Sequence, residues 1–154
     1  MVEFPRIMHE WIKENKDFRM VIVPEKGPFK IPSGGVVQIA GRPVKSLEGA
    51  EGVIFFGLAF FSSPLCGVRI ELPYYDSGRG LRIDRLIEGG FTEPNGIVWA
   101  DNPKPGLWSV AVAQHFEFRD WARIYVFNDD DVDQYCYYYT YWAAYLVESQ
   151  VKKL

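Results

Sequence analysis

The sequence predicts an all-β protein, a jelly-roll-like antiparallel β-sandwich with a short N-terminal amphipathic helix. Eight or nine short apolar or alternating runs are separated by turn residues, and the turns recur every eight to fifteen positions. Aromatic residues are abundant, with eleven Phe, nine Tyr and five Trp, and such residues favour strands. The long connections at 24–34 and 84–96 favour a jelly roll over an up-and-down barrel, because hairpin connections alone do not need them.

Residues 1–17 are predicted to form a helical arm, and residues 18–154 the β-sandwich domain. The helix of the arm spans 5–16, with Pro5 in its first turn. Its apolar positions recur at helical spacing: Ile7, Met8, Trp11 and Ile12. Because an isolated helix of this length is marginal in water, we expect it to dock on its own domain or on a neighbouring subunit.

From residue 18 onward the periodicity is that of strands, and the only helical feature is one turn ended by Gly89 and Gly90. The predicted strands are 18–23, 35–41, 52–62, 66–73, 80–84, 97–100, 107–118, 121–128 and 134–148. The run 52–68 is uncharged, but Pro64 and its glycines and serines make a buried strand and turn a better interpretation than a membrane span. No membrane segment is therefore predicted.

The strand predicted at 134–148 is the most unusual, because it carries no charge until its end. Strand alternation puts Tyr135, Tyr137, Tyr139 and Tyr141 on one face, and Cys136, Tyr138, Thr140 and Trp142 on the other. The first set, together with Trp11, forms the predicted interface or ligand-stacking residues. Such aromatics can anchor a protein interface, stack on sugar rings or fill a core, and the sequence leaves these three interpretations open.

Charge and cysteine content narrow the class of protein. Seventeen basic and twenty acidic residues give a net charge of −3, which argues against a nucleic-acid-binding module. The charged N-terminus has no apolar core of a secretory signal, so none is expected. Cys66 and Cys136 are interpreted as buried free thiols, with a single bridge between two strands left open.

No pattern identifies a catalytic site or a cofactor, and the chain is predicted not to be an enzyme. Asp129, Asp131 and Asp133 are weak candidates for a calcium site, because no glycine or bidentate glutamate follows in the required positions. His115 and Glu117 lack the second nearby histidine that a cupin metal site needs. There is no G-x-S-x-G elbow, and neither cysteine has the context of a nucleophile.

Three segments carry a resemblance: GLAFFSSPLCGVRIELPYYDSG, FTEPNGIVWADNPKPGLW and ARIYVFNDDDVDQYCYYYTYW. Their order resembles that of β-sandwich domains in virion proteins of bacterial and archaeal viruses, over residues 18–148. The resemblance implies a structural role in a capsid, tail or fibre, with homo-oligomers or other virion proteins as partners and a virion or cytoplasmic location. The alternative prediction is a carbohydrate-binding β-sandwich module that binds glycans.

Overall fold

The computed structural model describes residues 13–14, 18–40, 50–73, 75–76, 80–94 and 98–146. These residues form ten strands and a short helix, α1, at Ile83–Glu88. The strands are β1 Phe18–Ile31, β2 Val36–Ala40, β3 Ala50–Phe61, β4 Cys66–Leu72, β5 Tyr75–Asp76, β6 Leu81–Arg82, β7 Val98–Lys104, β8 Leu107–Asp120, β9 Arg123–Asn128 and β10 Gln134–Leu146. The prediction of an all-β protein is confirmed.

The strands form two antiparallel sheets. Sheet A has the order β1-β10-β3-β8-β7, and sheet B has the order β2-β9-β4-β5, with β6 paired to β4. Every pairing recorded between them is antiparallel. Strands that follow one another in sequence often lie in different sheets, so the chain crosses repeatedly between two layers.

One hydrophobic core joins the two sheets. Its largest fully buried side chains come from both sheets and from α1: Phe61, Ile31, Ile70, Ile83 and Ile124. In β8, the alternate residues Val110 and Val112 are fully buried, and the partly buried Trp108 packs against the core. The result is a sandwich-like arrangement in which each sheet keeps a second, outward side.

Two strands run further than the sequence indicated. The prediction ended the first strand before Pro24, but β1 continues through Pro24 and Pro28 to Ile31. Likewise, β7 continues through Pro103, where a loop was predicted. Both strands lie at the edges of sheet A. An edge strand tolerates proline, because the N–H that proline lacks can be one that would face solvent. The ends of β1 and β7 therefore depend on the position of each strand in the sheet, which the local sequence does not show.

The helical turn predicted before Gly89 is confirmed as α1, which buries Ile83 and Leu86 in the core. Gly89 caps it, and Gly90 follows at φ 82°, a conformation that favours glycine. Of the predicted N-terminal helix, only Lys13 and Glu14 are described, and both are helical and exposed. The remainder of that helix, including Trp11, lies outside the described residues, so the arm and the domain boundary at residue 17 stay predictions.

Candidate functional site

The tyrosine-rich strand β10 lies second from the edge of sheet A, between β1 and β3. Its pairing with β3 shifts between Cys136, opposite Phe61, and Tyr138, opposite Phe60. One extra residue on β10, Tyr137, is therefore inserted against β3, which defines a β-bulge. The bulge changes which side chains face the core.

Because of this bulge, the predicted common face of alternate tyrosines does not form. Tyr139 is buried at 6% exposure, and its ring meets the Phe29 ring edge-on at 6.1 Å between centroids. Cys136 is also fully buried, although it is three positions away and strict alternation would put it on the opposite side. Tyr135 and Tyr137 remain exposed, at 43% and 40%.

The other two predicted residues cannot be placed with them. Tyr141 lies in β10 with its Cα opposite that of Val23 in β1. Trp11 lies outside the described residues.

The exposed tyrosines belong to a wider apolar surface on the outward side of sheet A. Phe60 lies between the buried Ala59 and Phe61, so it points away from the core. Its ring is 6.4 Å from the ring of Tyr138, its partner across the strand pair. We call this surface the aromatic face; its described members are Leu58, Phe60, Trp99, Tyr135, Tyr137 and Tyr138.

Small side chains fill the space between these large ones. Three small residues pair across strands with these large ones: Ser109 with Phe60, and both Ala111 and Thr140 with Leu58. All three are at most 8% exposed. The charged residues described beside the face lie on the edge strands β1 and β7: Lys30, Asp101 and Lys104. The described part of the face thus has an uncharged centre and charges at its rim. The sequence pattern missed the contribution of β3 and β7, because only the strand order brings them beside β10.

The outward side of sheet B has the opposite chemistry. Arg69 Nη2 donates to Glu71 Oε1 at 2.6 Å, and the guanidinium of Arg123 lies 4.3 Å from the ring centroid of Trp121. Burial, followed by a hydrogen bond to Glu71, raises the pKa of Tyr125. We call these five residues the ionic face. Their charges are already engaged with one another, which is typical of a surface that stays in contact with water.

The aspartate-rich turn after β9 directs its carboxylates to separate partners. Asp129 Oδ2 accepts a hydrogen bond from Arg82 Nη1 at 3.3 Å, and Asp133 Oδ1 accepts one from the Ser33 backbone N–H at 3.0 Å. Asp131 is exposed. Within the described residues, no three His, Cys, Asp or Glu side chains are close enough together to hold a metal ion. These contacts give the turn a structural explanation, since it ties the loops at this end of the sandwich together.

Asp130 belongs to the same turn and accepts hydrogen bonds from two other loops and strands. Its Oδ2 accepts hydrogen bonds from Ser63 Oγ and Gln134 Nε2, both at 3.0 Å. A side-chain hydrogen bond with Asp131, together with those from Ser63 and Gln134, lowers the pKa of Asp130. A carboxylate with a lowered pKa is a weak base, so this contact does not activate the Ser63 hydroxyl as a nucleophile.

Asn128, the last residue of β9, is the buried centre of this end of the molecule. Its Nδ2 donates to the carbonyl oxygens of Ile31 at 3.0 Å and Val132 at 2.9 Å. Its Oδ1 accepts from the backbone N–H of Asp130 at 2.9 Å and lies 3.7 Å from Cys66 Sγ. One fully buried amide therefore joins β1, β4 and the aspartate-rich turn.

The interpretation of the two cysteines as buried free thiols is confirmed. The pKa of each thiol, Cys66 and Cys136, is raised to about 12, and burial is the largest cause. Since the thiolate is the reactive form, both groups are poor nucleophiles in the folded protein.

Arg82, in β6, lies between two carboxylates. Arg82 is paired with Asp84 at 2.7 Å as well as with Asp129, so its charge is neutralised locally. His115 and Glu117 lie in β8, with their Cα atoms opposite those of Phe55 and Val53. No helix in the described part of the chain has the length and apolar character needed to cross a membrane.

Comparison with models of known protein families finds no match, and no curated protein is significantly similar in sequence. The site must therefore be interpreted from its own chemistry. Its two outward faces, one aromatic and one ionic, are the features from which a function can be argued.

Proposed function

We propose that this chain is a non-enzymatic structural protein, a component of a virion such as its capsid, tail or fibre, that self-associates through the aromatic face. The observation that carries the proposal is the contrast between its two outward sheet surfaces. The aromatic face presents Tyr135 and Tyr137 at 43% and 40% exposure, whereas the ionic face presents paired charges.

The chemistry of the aromatic face is that of a protein interface. Interface centres are enriched in Tyr, Trp and Phe and depleted of charge, while their rims are polar. The described part of the aromatic face has this arrangement, because the charged residues beside it, Lys30, Asp101 and Lys104, lie on the edge strands β1 and β7. A contiguous apolar surface of a few hundred Å² on a monomer commonly marks a binding site.

Strand order supports a jelly-roll topology within the sandwich. When the hairpin strand β7 and the two-residue β6 are set aside, eight strands remain. Numbered in chain order, they follow the sequence 1-8-3-6 in one sheet and 2-7-4-5 in the other. This interleaving is expected of two Greek keys wound into one jelly roll, an architecture used by viral capsid proteins, lectins and cupins. The assignment to a virion rests on that analogy and on the resemblance of residues 18–148.

Carbohydrate binding is the second candidate, because the same exposed rings could stack on sugars. Tyr135 and Tyr137 offer both a ring face and a hydroxyl group, and Trp99 lies on the same side of sheet A. Under this alternative, the aromatic face is occupied by a glycan and the protein has no need to self-associate.

Sedimentation and light scattering over a concentration series test the proposal. We expect the mass to rise with concentration in multiples of the 17.7 kDa chain. A protein that stays monomeric at high concentration would contradict self-association. A monomer whose tryptophan fluorescence changes on titration with oligosaccharides would instead support the carbohydrate-binding alternative.

A further inference from the structure

We infer that the aromatic face binds the aromatic face of a second copy of this chain, sheet against sheet, about a two-fold axis lying in the contact plane. The inference rests on the proposed self-association and specifies which surface each copy contributes. It predicts an isologous contact, in which the same patch is used by both subunits.

The area of sheet A suits such a contact. Five strands spaced about 4.8 Å apart and about twelve residues long give an outward surface of roughly 900 Å². A stable interface of standard size buries about 800 Å² on each partner. The outward side of sheet A as a whole therefore has the area of a standard interface, and the aromatic face forms the end of it that carries Phe60 and Tyr138.

The choice of partner surface follows from the cost of removing charges from water. If the aromatic face of one copy packed on the ionic face of another, Arg69 and Glu71 would lose their hydration. The aromatic rings would offer few hydrogen bonds in place of those to water. If two aromatic faces meet, Phe60 and Tyr138 of each copy lie against a surface whose described centre is uncharged, so the Arg69–Glu71 pair stays in water. The isologous contact is favoured for this reason.

Aromatic side chains also allow a surface to complement itself. Ring pairs such as the tilted Phe60–Tyr138 pair form offset or edge-to-face contacts, and these do not require a partner of opposite chemistry. Stacked sheets lie about 10 Å apart, which leaves room for one interdigitated layer of such side chains.

Single-cysteine cross-linking tests the symmetry of the contact. Phe60 lies on β3, the middle strand of sheet A, so both copies of it should lie inside a contact made by this face. With a short bifunctional maleimide, we expect Phe60→Cys to give a cross-linked dimer, and Tyr137→Cys, at an exposed position, provides a second variant. The control is Val36→Cys, which is 55% exposed and lies in sheet B. The native Cys66 and Cys136 are buried and contribute little background.

The outcomes separate this inference from the proposed function. A cross-linked dimer from Phe60→Cys or Tyr137→Cys, but not from Val36→Cys, supports the isologous contact. If the wild-type protein associates but neither face variant cross-links to itself, the inference is wrong and self-association stands. A cross-link only in a mixture of Phe60→Cys and Val36→Cys would show a head-to-tail contact, so the isologous contact would be wrong while self-association stands. A wild-type protein that sediments only as a monomer would contradict both the isologous contact and the proposed self-association.

Discussion

Replacing Asn128 by alanine is expected to lower the free energy of unfolding by about 3 kcal/mol. The side chain is fully buried, and its removal leaves the carbonyl oxygens of Ile31 and Val132 and the N–H of Asp130 without their partner. Each buried group left unsatisfied costs about 1–3 kcal/mol, and partial hydration of the turn reduces the total. Urea unfolding of the two proteins measures the difference.

Asn102→Ala is the matched control for this prediction. Asn102 Nδ2 also donates to two carbonyl oxygens, those of Lys104 at 2.9 Å and Leu107 at 2.7 Å, but the residue is exposed. Water can replace the lost donor there, so we expect a loss of about 1 kcal/mol or less. Equal losses in the two variants would show that burial of the Asn128 network is not what stabilises this end of the sandwich.

Tyr137→Asp is expected to weaken self-association at least about 100-fold, which corresponds to about 2.7 kcal/mol. The substitution places a carboxylate at the bulge of β10, where the contact would strip it of water with no described basic group at the centre of the face. In an isologous contact the change is made twice, because both copies carry it. Since Tyr137 is 40% exposed in the single chain, the monomer should remain folded.

Val36→Asp is the control for Tyr137→Asp, since it introduces the same charge at a strand position in sheet B that is at least as exposed. We expect its dissociation constant, measured by sedimentation velocity, to stay within a few-fold of the wild-type value. If Val36→Asp dissociates the assembly and Tyr137→Asp does not, copies meet through sheet B instead of the aromatic face.

Much of the fold could be predicted from periodicity, because most strands are half-buried and alternate. In β4, Val68 and Ile70 are buried while Arg69 and Glu71 lie on the outward side, and the sequence alternates between apolar and charged residues at these positions. The boundaries that failed, in β1 and β7, did so because edge strands tolerate proline. Edge position depends on pairings between residues far apart in the chain, and no local pattern reports it.

Less of the candidate site could be predicted from the sequence. The abundance of tyrosine in β10 drew attention to this strand, but the bulge at Tyr137 reversed the direction of Tyr139. Alternation cannot locate a bulge, since the extra residue is defined only against its partner strand. The role of Asn128 was also hidden, because one of its partners, Ile31, is 97 positions away.

Hydroxyl-radical footprinting at low and high protein concentration tests most directly whether copies meet through the aromatic face. We expect oxidation of Tyr135 and Tyr137 to fall as the protein associates, while oxidation of Tyr125 on the ionic face does not change. Protection of Tyr125 with Tyr135 and Tyr137 unchanged, in a sample whose mass has increased, would contradict association through the aromatic face.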